Sequence, residues 1–190
     1  MIMKKTTLRN ISIVLALICV ISGIQIAVDA KIHRQERKIY ITSLCNAATG
    51  VSLNIKEALK NIDDTLDESM IGIRVYMDML TKHFMVANNS SYSYNYNILF
   101  WEKSFFLDSI EGYLAITSAR DKYTDIFERH FSGSQKSSSD HVFLQGLQVA
   151  LNNLCGRLLN EDKSLNKKAI NSVYYSESLS EFISAIKQLN

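Results

Sequence analysis

The stretch from Ile41 to Phe84, ITSLCNAATGVSLNIKEALKNIDDTLDESMIGIRVYMDMLTKHF, decides the fold class of this chain. Its apolar residues recur in steps of three and four positions, the spacing of one face of an α-helix, and polar residues fill the other face. We therefore predict a long amphipathic helix from about residue 33 to 86, on the order of 80 Å in length. Gly50 and the Asp63–Asp64 pair are the places where it could bend or break. Such a helix needs partner helices to cover its apolar face.

The residues after this helix predict a turn and a second helix. Asn88–Asn97, NNSSYSYNYN, alternates Ser or Asn with Tyr, and we interpret it as the turn that ends the first helix. A second helix is expected from about Ile98 to Phe131. Ser132–Ser139, SGSQKSSS, is the clearest linker in the chain.

Two more helical regions follow the linker. Asp140 is expected to cap a third helix, with apolar residues at Phe143, Leu147, Leu151, Leu154 and Leu158. The polar stretch Asn160–Lys163 leads to a last helical region, in which a split near Tyr175 and Ser176 is possible. We therefore predict an all-α fold, an antiparallel bundle of about four helices with a long first helix.

The composition agrees with this fold and excludes one class of function. Of the 190 residues, 47% are hydrophobic, none is Pro and seven are Gly, which favours a packed core of long helices over a turn-rich β fold. Beyond the first thirty residues, basic and acidic residues are equal in number. Without a basic stripe, we expect no nucleic-acid partner.

The N-terminus has the pattern of a membrane segment. Ile11–Val28 contains no charged residue, and Lys4, Lys5 and Arg9 precede it. Its length is close to the roughly 20 residues that span a bilayer, although Ala30 also offers a cleavage site for a signal peptidase. We favour a retained anchor over a cleaved signal peptide, since the apolar run is long for a signal.

This segment divides the chain and sets its expected location. We predict a signal-anchor or transmembrane segment at residues 1–30 and an exported helical domain at residues 31–190. The residue usage is typical of bacteria, so we expect a single-pass protein of the inner membrane with most of the chain in the periplasm. The alternative is a cleaved form, free in the periplasm or secreted. Basic residues flank both ends of the segment and do not decide its orientation.

An aromatic cluster is the candidate partner-binding site, formed by Tyr92, Tyr94, Tyr96 and Trp101. Tyr and Trp with small polar neighbours make good contact surfaces, because they bury a large area at a low cost in conformational entropy. Alternatively, these rings fold back and cover the end of the bundle.

Cys45 and Cys155 are a candidate disulfide, because they are the cysteines outside the apolar segment and the expected compartment is oxidising. Each lies beside a predicted apolar position, so each can reach a neighbouring helix. Helix lengths argue against the bond. If the first helix is straight, Cys155 lies further from the membrane than Cys45, since the second helix is too short to return. Two buried free thiols are the alternative.

No catalytic, cofactor-binding or metal-binding residues are predicted. The carboxylates Asp63, Asp64, Asp67 and Glu68 lack an alternating ligand loop and are interpreted as a solvated face. The four histidines have no metal-ligand spacing. No Ser lies in a Gly-x-Ser-x-Gly motif, and no glycine-rich loop could hold a phosphate. We therefore expect a protein that is not an enzyme.

The layout of a membrane segment followed by a helical bundle resembles the sensory part of bacterial chemoreceptors and sensor kinases. That resemblance implies a ligand-sensing bundle; since a second membrane helix and an output module are absent from this sequence, we expect it to work through a partner. Our preferred hypothesis is an interaction subunit of a secretion or conjugation assembly, or an immunity or exclusion factor. Its expected partners are the inner membrane and another envelope protein or a second copy, and a small-molecule ligand is possible.

Overall fold

A computed structural model of the chain describes residues 5–60, 68–93, 109–133 and 137–189. Over these ranges the fold is all-helical, without a β-strand, which confirms the predicted fold class. Five α-helices and one short 3-10 helix make up the described part of the chain: α1 at Lys5–Lys60, α2 at Glu68–Ser93, α3 at Ser109–Phe131, α4 at Ser138–Leu158, the 3-10 helix at Lys167–Ile170 and α5 at Ser172–Lys187.

The chain forms two units, Met1–Ile39 and Tyr40–Asn190, which divide within α1. In the first unit, the side chains from Ile11 to Val28 are exposed. The predicted N-terminal apolar helix is therefore present. It is long and apolar enough to cross a membrane, and α1 alone meets that criterion among the described residues. The predicted domain boundary after residue 30 stays a prediction.

The core of the second unit is built on the apolar seam of Ile41–Phe84. Its described members have no exposed surface: Ile41, Leu44, Ala48, Val51, Ile55, Ala58, Met70, Ile73, Met77, Leu80 and Phe84. Helices α4 and α5 contribute the residues that the sequence predicted for them, including Phe143, Leu147 and Leu154 of α4 and Leu179, Phe182 and Ile186 of α5. In α3 the face predicted from the period is wrong in part, because Ile110, Leu114 and Phe131 are exposed and Ile116 and Ala119 are buried instead.

The prediction of one long helix from about residue 33 to 86 is wrong, although the sequence did indicate the Asp63–Asp64 pair as a place where it could break. α1 ends at Lys60 and α2 begins at Glu68. Ser43 Oγ of α1 lies 3.0 Å from His83 Nε2 of α2, whereas a continuous helix would separate these residues by about 60 Å. The two helices therefore lie side by side. The Asp63–Asp64 pair, which comes between them in the sequence, is outside the described residues.

α1 continues through Gly50 without a break, and this glycine permits close packing. A Cβ at Gly50 would lie 2.4 Å from the Tyr76 ring, and a Cβ at Gly72 would lie 2.1 Å from the Asn54 side chain. Real Cβ atoms essentially never show such distances, so each glycine accommodates a side chain of the facing helix.

Two predicted helix boundaries are wrong. α2 continues to Ser93, so the turn predicted from Asn88 does not begin there. Asn, Ser and Tyr each lower helix stability by less than about 1 kcal/mol relative to Ala, which is not enough to end a helix. The rest of that turn and the start of the predicted second helix lie outside the described residues. α5 passes through Tyr175 and Ser176 without a split; the interruption is at Asn171, whose side chain accepts hydrogen bonds from Val173 N and Tyr174 N.

Asp140 is not the N-cap of α4, as the sequence predicted, but its third residue. The N-cap is Ser137, whose hydroxyl accepts a hydrogen bond from Asp140 N at 3.2 Å. The Asp140 carboxylate accepts one in return from Ser137 N at 3.0 Å and also contacts Arg129 Nη2 at 2.6 Å. This is a capping box, in which the serine and the acid satisfy each other's backbone donors.

Aromatic contacts connect the remaining helices of the second unit. The Tyr123 hydroxyl of α3 donates a hydrogen bond to the Met70 carbonyl of α2. Phe84 of α2 and Phe182 of α5 are stacked, with ring centroids 6.3 Å apart. Because these groups are buried, each contact excludes water from the centre of the unit.

Candidate functional site

Helices α1 and α4 are joined by polar contacts on one side of two cysteines. Ser52 Oγ of α1 donates a hydrogen bond to Asn152 Oδ1 of α4 at 2.7 Å. Gln148 Nε2 of α4 donates one to the Ser52 carbonyl at 3.1 Å. These bonds fix the register in which α1 faces α4, one helical turn or two from the cysteines.

Cys45 and Cys155 lie in direct contact in this register. Cys155 Sγ lies 3.7 Å from the Cys45 carbonyl oxygen, and the two side chains are in hydrogen-bond contact. The Thr49 hydroxyl, one turn along α1, donates to Cys155 Sγ at 3.8 Å. Both cysteines are free thiols in this structure. Their bonding to each other stays a prediction.

The helix-length argument against a Cys45–Cys155 pair is therefore wrong. It assumed that the first helix continues to residue 86, which would place Cys155 far from Cys45. Because α1 ends at Lys60 and α2 lies beside it, α4 is brought against α1 at the level of Cys45.

One of the two thiols faces a cleft. Cys45 is completely buried, whereas Cys155 is partly exposed. Cys155 lines a cleft of about 450 Å³, which we call the α1–α4 cleft. Its other lining residues come from α1, α2, the end of α4 and the loop after it: Asn46, Thr49, Gly50, Leu53, Tyr76, Gly156, Leu159, Asn160 and Lys163. The cleft therefore gives access to one sulfur of the pair.

The two thiols differ in acidity. The hydrogen bond with Cys45 lowers the pKa of Cys155 below that of an ordinary thiol, and the Thr49 hydroxyl adds to this, although burial opposes the shift. The same hydrogen bond raises the pKa of Cys45, and burial and the charge of Cys155 raise it further. A thiolate at this site is therefore favoured on Cys155, the accessible sulfur.

A second polar cluster contains Ser43, His83, Tyr40 and Tyr175. The Tyr40 ring lies edge-on to His83, with centroids 6.2 Å apart, and edge-on to Tyr175 at 6.4 Å. Burial raises the pKa of Tyr40 to about 12, and a hydrogen bond with Tyr175 opposes this shift. Burial lowers the pKa of His83 from its ordinary value of 6.5. Burial therefore favours the uncharged forms of Tyr40 and His83.

The outer face of α2 is a third feature, and the sequence analysis missed it. Ile71, Val75 and Met79 are 49%, 51% and 44% exposed, and their spacing of four residues places them in one row. The row lies roughly opposite the buried face of Ile73, Met77 and Leu80, so α2 is apolar on two sides. The signal that could have revealed it is in the sequence: apolar residues also recur every four positions at 71, 75 and 79, in addition to the buried row.

The aromatic cluster predicted as a contact surface is described only in part. Tyr92 belongs to the last turn of α2. Tyr94, Tyr96 and Trp101 lie outside the described residues, so the contact surface stays a prediction. Of the four carboxylates interpreted as a solvated face, Glu68 is exposed at the start of α2, and Asp63, Asp64 and Asp67 lie outside the described residues. Within the described ranges, no group of three or more His, Cys, Asp or Glu side chains is arranged to hold a metal ion.

Comparison of the chain with protein-family models, with curated proteins and with solved structures found no match.

Proposed function

We propose that the protein is a non-enzymatic interaction subunit of a bacterial envelope assembly. In this proposal, residues 11–28 anchor it in the inner membrane, and the second unit lies in the periplasm as an antiparallel helical bundle. The observation that carries the proposal is the exposed apolar row Ile71, Val75 and Met79 on the outer face of α2.

The anchor is supported by exposure. The side chains of Ile13, Leu17 and Ile21 are each more than half exposed, as is typical of this segment. A helix that is apolar all round and covered by no other element of its own unit requires an apolar environment from outside the chain. A bilayer is the environment that matches its length.

The antiparallel bundle is supported by the order of contacts. In three pairs of neighbouring helices, later residues of one contact earlier residues of the other. This holds for α1 with α2, for α2 with α3 and for α1 with α4, through the pairs Ser43–His83 and Asn54–Gly72, Phe84–Gly112 and Met70–Tyr123, and Cys45–Cys155 and Ser52–Gln148.

A protein partner is supported by the two apolar faces of α2. A helix that buries one face in its own domain and exposes a second apolar row has a surface suited to another apolar helix or sheet. Methionine in such a row adapts to the shape of its partner. We therefore assign the outer face of α2 to contact with another envelope protein.

Site-specific photocrosslinking in intact cells tests this assignment. A photoreactive residue at Val75 is expected to form an adduct with an envelope protein, which mass spectrometry of the purified adduct identifies. The same residue at Lys56, an exposed charged position of α1, is the matched control and is expected to form none. Ile71→Glu with Met79→Glu is expected to abolish the Val75 adduct. The absence of a Val75 adduct, or an equal adduct from Lys56, would contradict the proposal.

A further inference from the structure

We propose that Cys155 and Cys45 form an ordered thiol–disulfide exchange site, in which an external disulfide reacts first with Cys155 through the α1–α4 cleft and Cys45 then closes an internal disulfide. The inference goes beyond the proposed function, because it assigns a covalent redox reaction to residues that are not part of the outer row of α2.

The geometry sets the order of the two steps. Cys155 is the sulfur that lines the cleft, and Cys45 is completely buried behind it. A reagent that enters the cleft therefore meets Cys155 first. Thr49 also lines the cleft, and its hydroxyl at 3.8 Å is placed to stabilise negative charge on the Cys155 sulfur.

The second step needs only a short displacement. The two side chains are already in hydrogen-bond contact, and Cys155 Sγ lies 3.7 Å from the Cys45 carbonyl. Ser52 with Asn152 and Gln148 holds α1 against α4 nearby, so the two sulfurs stay close while Cys155 carries a mixed disulfide.

The chemistry balances as a two-electron exchange. The Cys155 thiolate attacks one sulfur of the external disulfide, so that a mixed disulfide forms and one external thiol is released. The Cys45 thiol loses its proton to water and attacks the Cys155 sulfur, which forms the Cys45–Cys155 bond and releases the second external thiol. The two protein thiols are oxidised and the external disulfide is reduced to two thiols.

The cleft fits a small disulfide. A volume of about 450 Å³ lies within the range of roughly 300–1,000 Å³ usual for small-molecule sites. Lys163 at its rim carries a positive charge toward a ligand with carboxylates, such as glutathione disulfide. Glutathione disulfide is therefore the probe for the test.

The test uses the reduced full-length chain in detergent with Cys19→Ala as the background, since Cys19 is the remaining thiol. After glutathione disulfide is added and the reaction is quenched with acid, the intact mass is followed with time. The parent chain is expected to gain one glutathionyl group transiently at Cys155 and to end with an internal disulfide and no glutathione. Cys45→Ala, and Cys45→Ser as a second variant, are expected to retain glutathione on Cys155.

Cys155→Ala removes the accessible sulfur, so modification of Cys45 is expected to be at least about tenfold slower than that of Cys155 in Cys45→Ala. Equal rates would overturn the proposed order, and a parent chain that keeps both thiols would overturn the site. Circular dichroism verifies that each variant remains helical.

Two matched pairs test the route. A Cβ at Gly156 would meet no atom within 4 Å, so Gly156→Phe fills the cleft and is expected to slow the reaction several-fold, whereas Gly156→Ala leaves it unchanged. Unchanged rates in Gly156→Phe would overturn the route through the cleft.

Thr49→Val removes the hydroxyl and is expected to slow the first step, whereas Thr49→Ser retains the hydroxyl. The exchange is measured in detergent and does not depend on where the protein lies in the cell. A failed exchange would therefore leave the envelope assignment unaffected, and a failed envelope assignment would leave the exchange unaffected.

Discussion

Helix α1 carries apolar side chains along its length, but Ile11–Val28 and Ile41–Ala58 distribute them differently. In the first segment they surround the helix and are exposed. In the second most of them form one seam, which is buried against the other helices of the second unit. The difference shows that the burial of an apolar helix depends on what surrounds it: the second segment finds its apolar partners within the chain, and the first, in the proposed function, finds them in a membrane.

The largest expected effect comes from charges in the first segment. Leu17→Arg with Ile21→Arg should oppose membrane insertion by about 5–7 kcal/mol in total. After carbonate extraction, this variant is expected in the supernatant, and the unaltered chain in the membrane pellet. Gln35→Arg with Ile39→Arg, at the same spacing outside the uncharged run, is the control and should stay in the pellet. Recovery of the unaltered chain as a soluble form that begins at Lys31 would contradict the anchor and support a signal peptide.

Oxidation of the thiol pair should have the next largest effect, an increase in the free energy of unfolding. It concerns only the second segment, which contains Cys45. A bond between Cys45 and Cys155, 110 positions apart, would constrain the unfolded chain by at most roughly 4–5 kcal/mol. Urea unfolding followed by circular dichroism is expected to show a higher midpoint for the oxidised chain than for the reduced one. Cys155→Ala should lose this dependence on redox state. An equal midpoint for the oxidised and reduced chains would mean that the bond strains the folded state as much as it constrains the unfolded one.

Truncation of two leucines in the second segment compares a buried side chain with an exposed one on the same helix. Leu44 is fully buried, whereas Leu53 is 58% exposed. Leu44→Ala should lower the free energy of unfolding by about 2–5 kcal/mol, and Leu53→Ala by no more than about 0.5 kcal/mol. Urea unfolding of the two variants measures the difference. Similar losses would show that Leu53 is covered, for example by a partner.

The smallest expected effect is the pH dependence that His83 contributes through its contact with Ser43 of α1. Burial lowers the pKa of His83 below 6.5, so the unfolded state binds its proton more readily than the folded state. Stability should therefore fall as the pH drops below the unfolded pKa and continues through the folded one. Tyr40, which faces the imidazole, stays neutral in this range because its pKa is about 12.

Urea midpoints measured between about pH 8 and 5 test this contribution. His83→Asn is expected to show a weaker decline than the unaltered chain, because the titrating group is gone. A decline of the same size in both would assign the effect to other groups.

The sequence predicted the parts of the fold that depend on period. The residues of the apolar seam, such as Leu44, Ile55 and Leu80, are buried because a helix places positions three and four apart on one face. It indicated the Asp63–Asp64 pair as a possible break but could not show that α1 ends at Lys60, because the apolar period is almost unchanged on either side of residues 61–67. The predicted length of the first helix was therefore wrong, and so was the argument derived from it against a Cys45–Cys155 pair.

The candidate site was predicted in part for the same reason. Cysteine count paired Cys45 with Cys155, while helix length argued against that pairing, and the contact of the two side chains contradicts the length argument. Thr49 and the cleft could not be predicted, because they require the register of α1 against α4. We missed the outer row of Ile71, Val75 and Met79, because we assigned every apolar residue of the helix to a single apolar face.

The two glycine contacts between α1 and α2 have a consequence for how the chain finds its native pairing. Gly50 accommodates Tyr76, and Gly72 accommodates Asn54, so each helix offers one notch and one projection a single turn apart. Sliding one helix by a turn, about 5.4 Å, would bring Tyr76 toward Asn54, projection against projection, with no notch to receive either. Of these two registers, only the native one lets α1 and α2 pack closely. Exchange of Gly50 or Gly72 for alanine is expected to weaken the preference for it, because the added methyl group would occupy the space that the facing side chain fills.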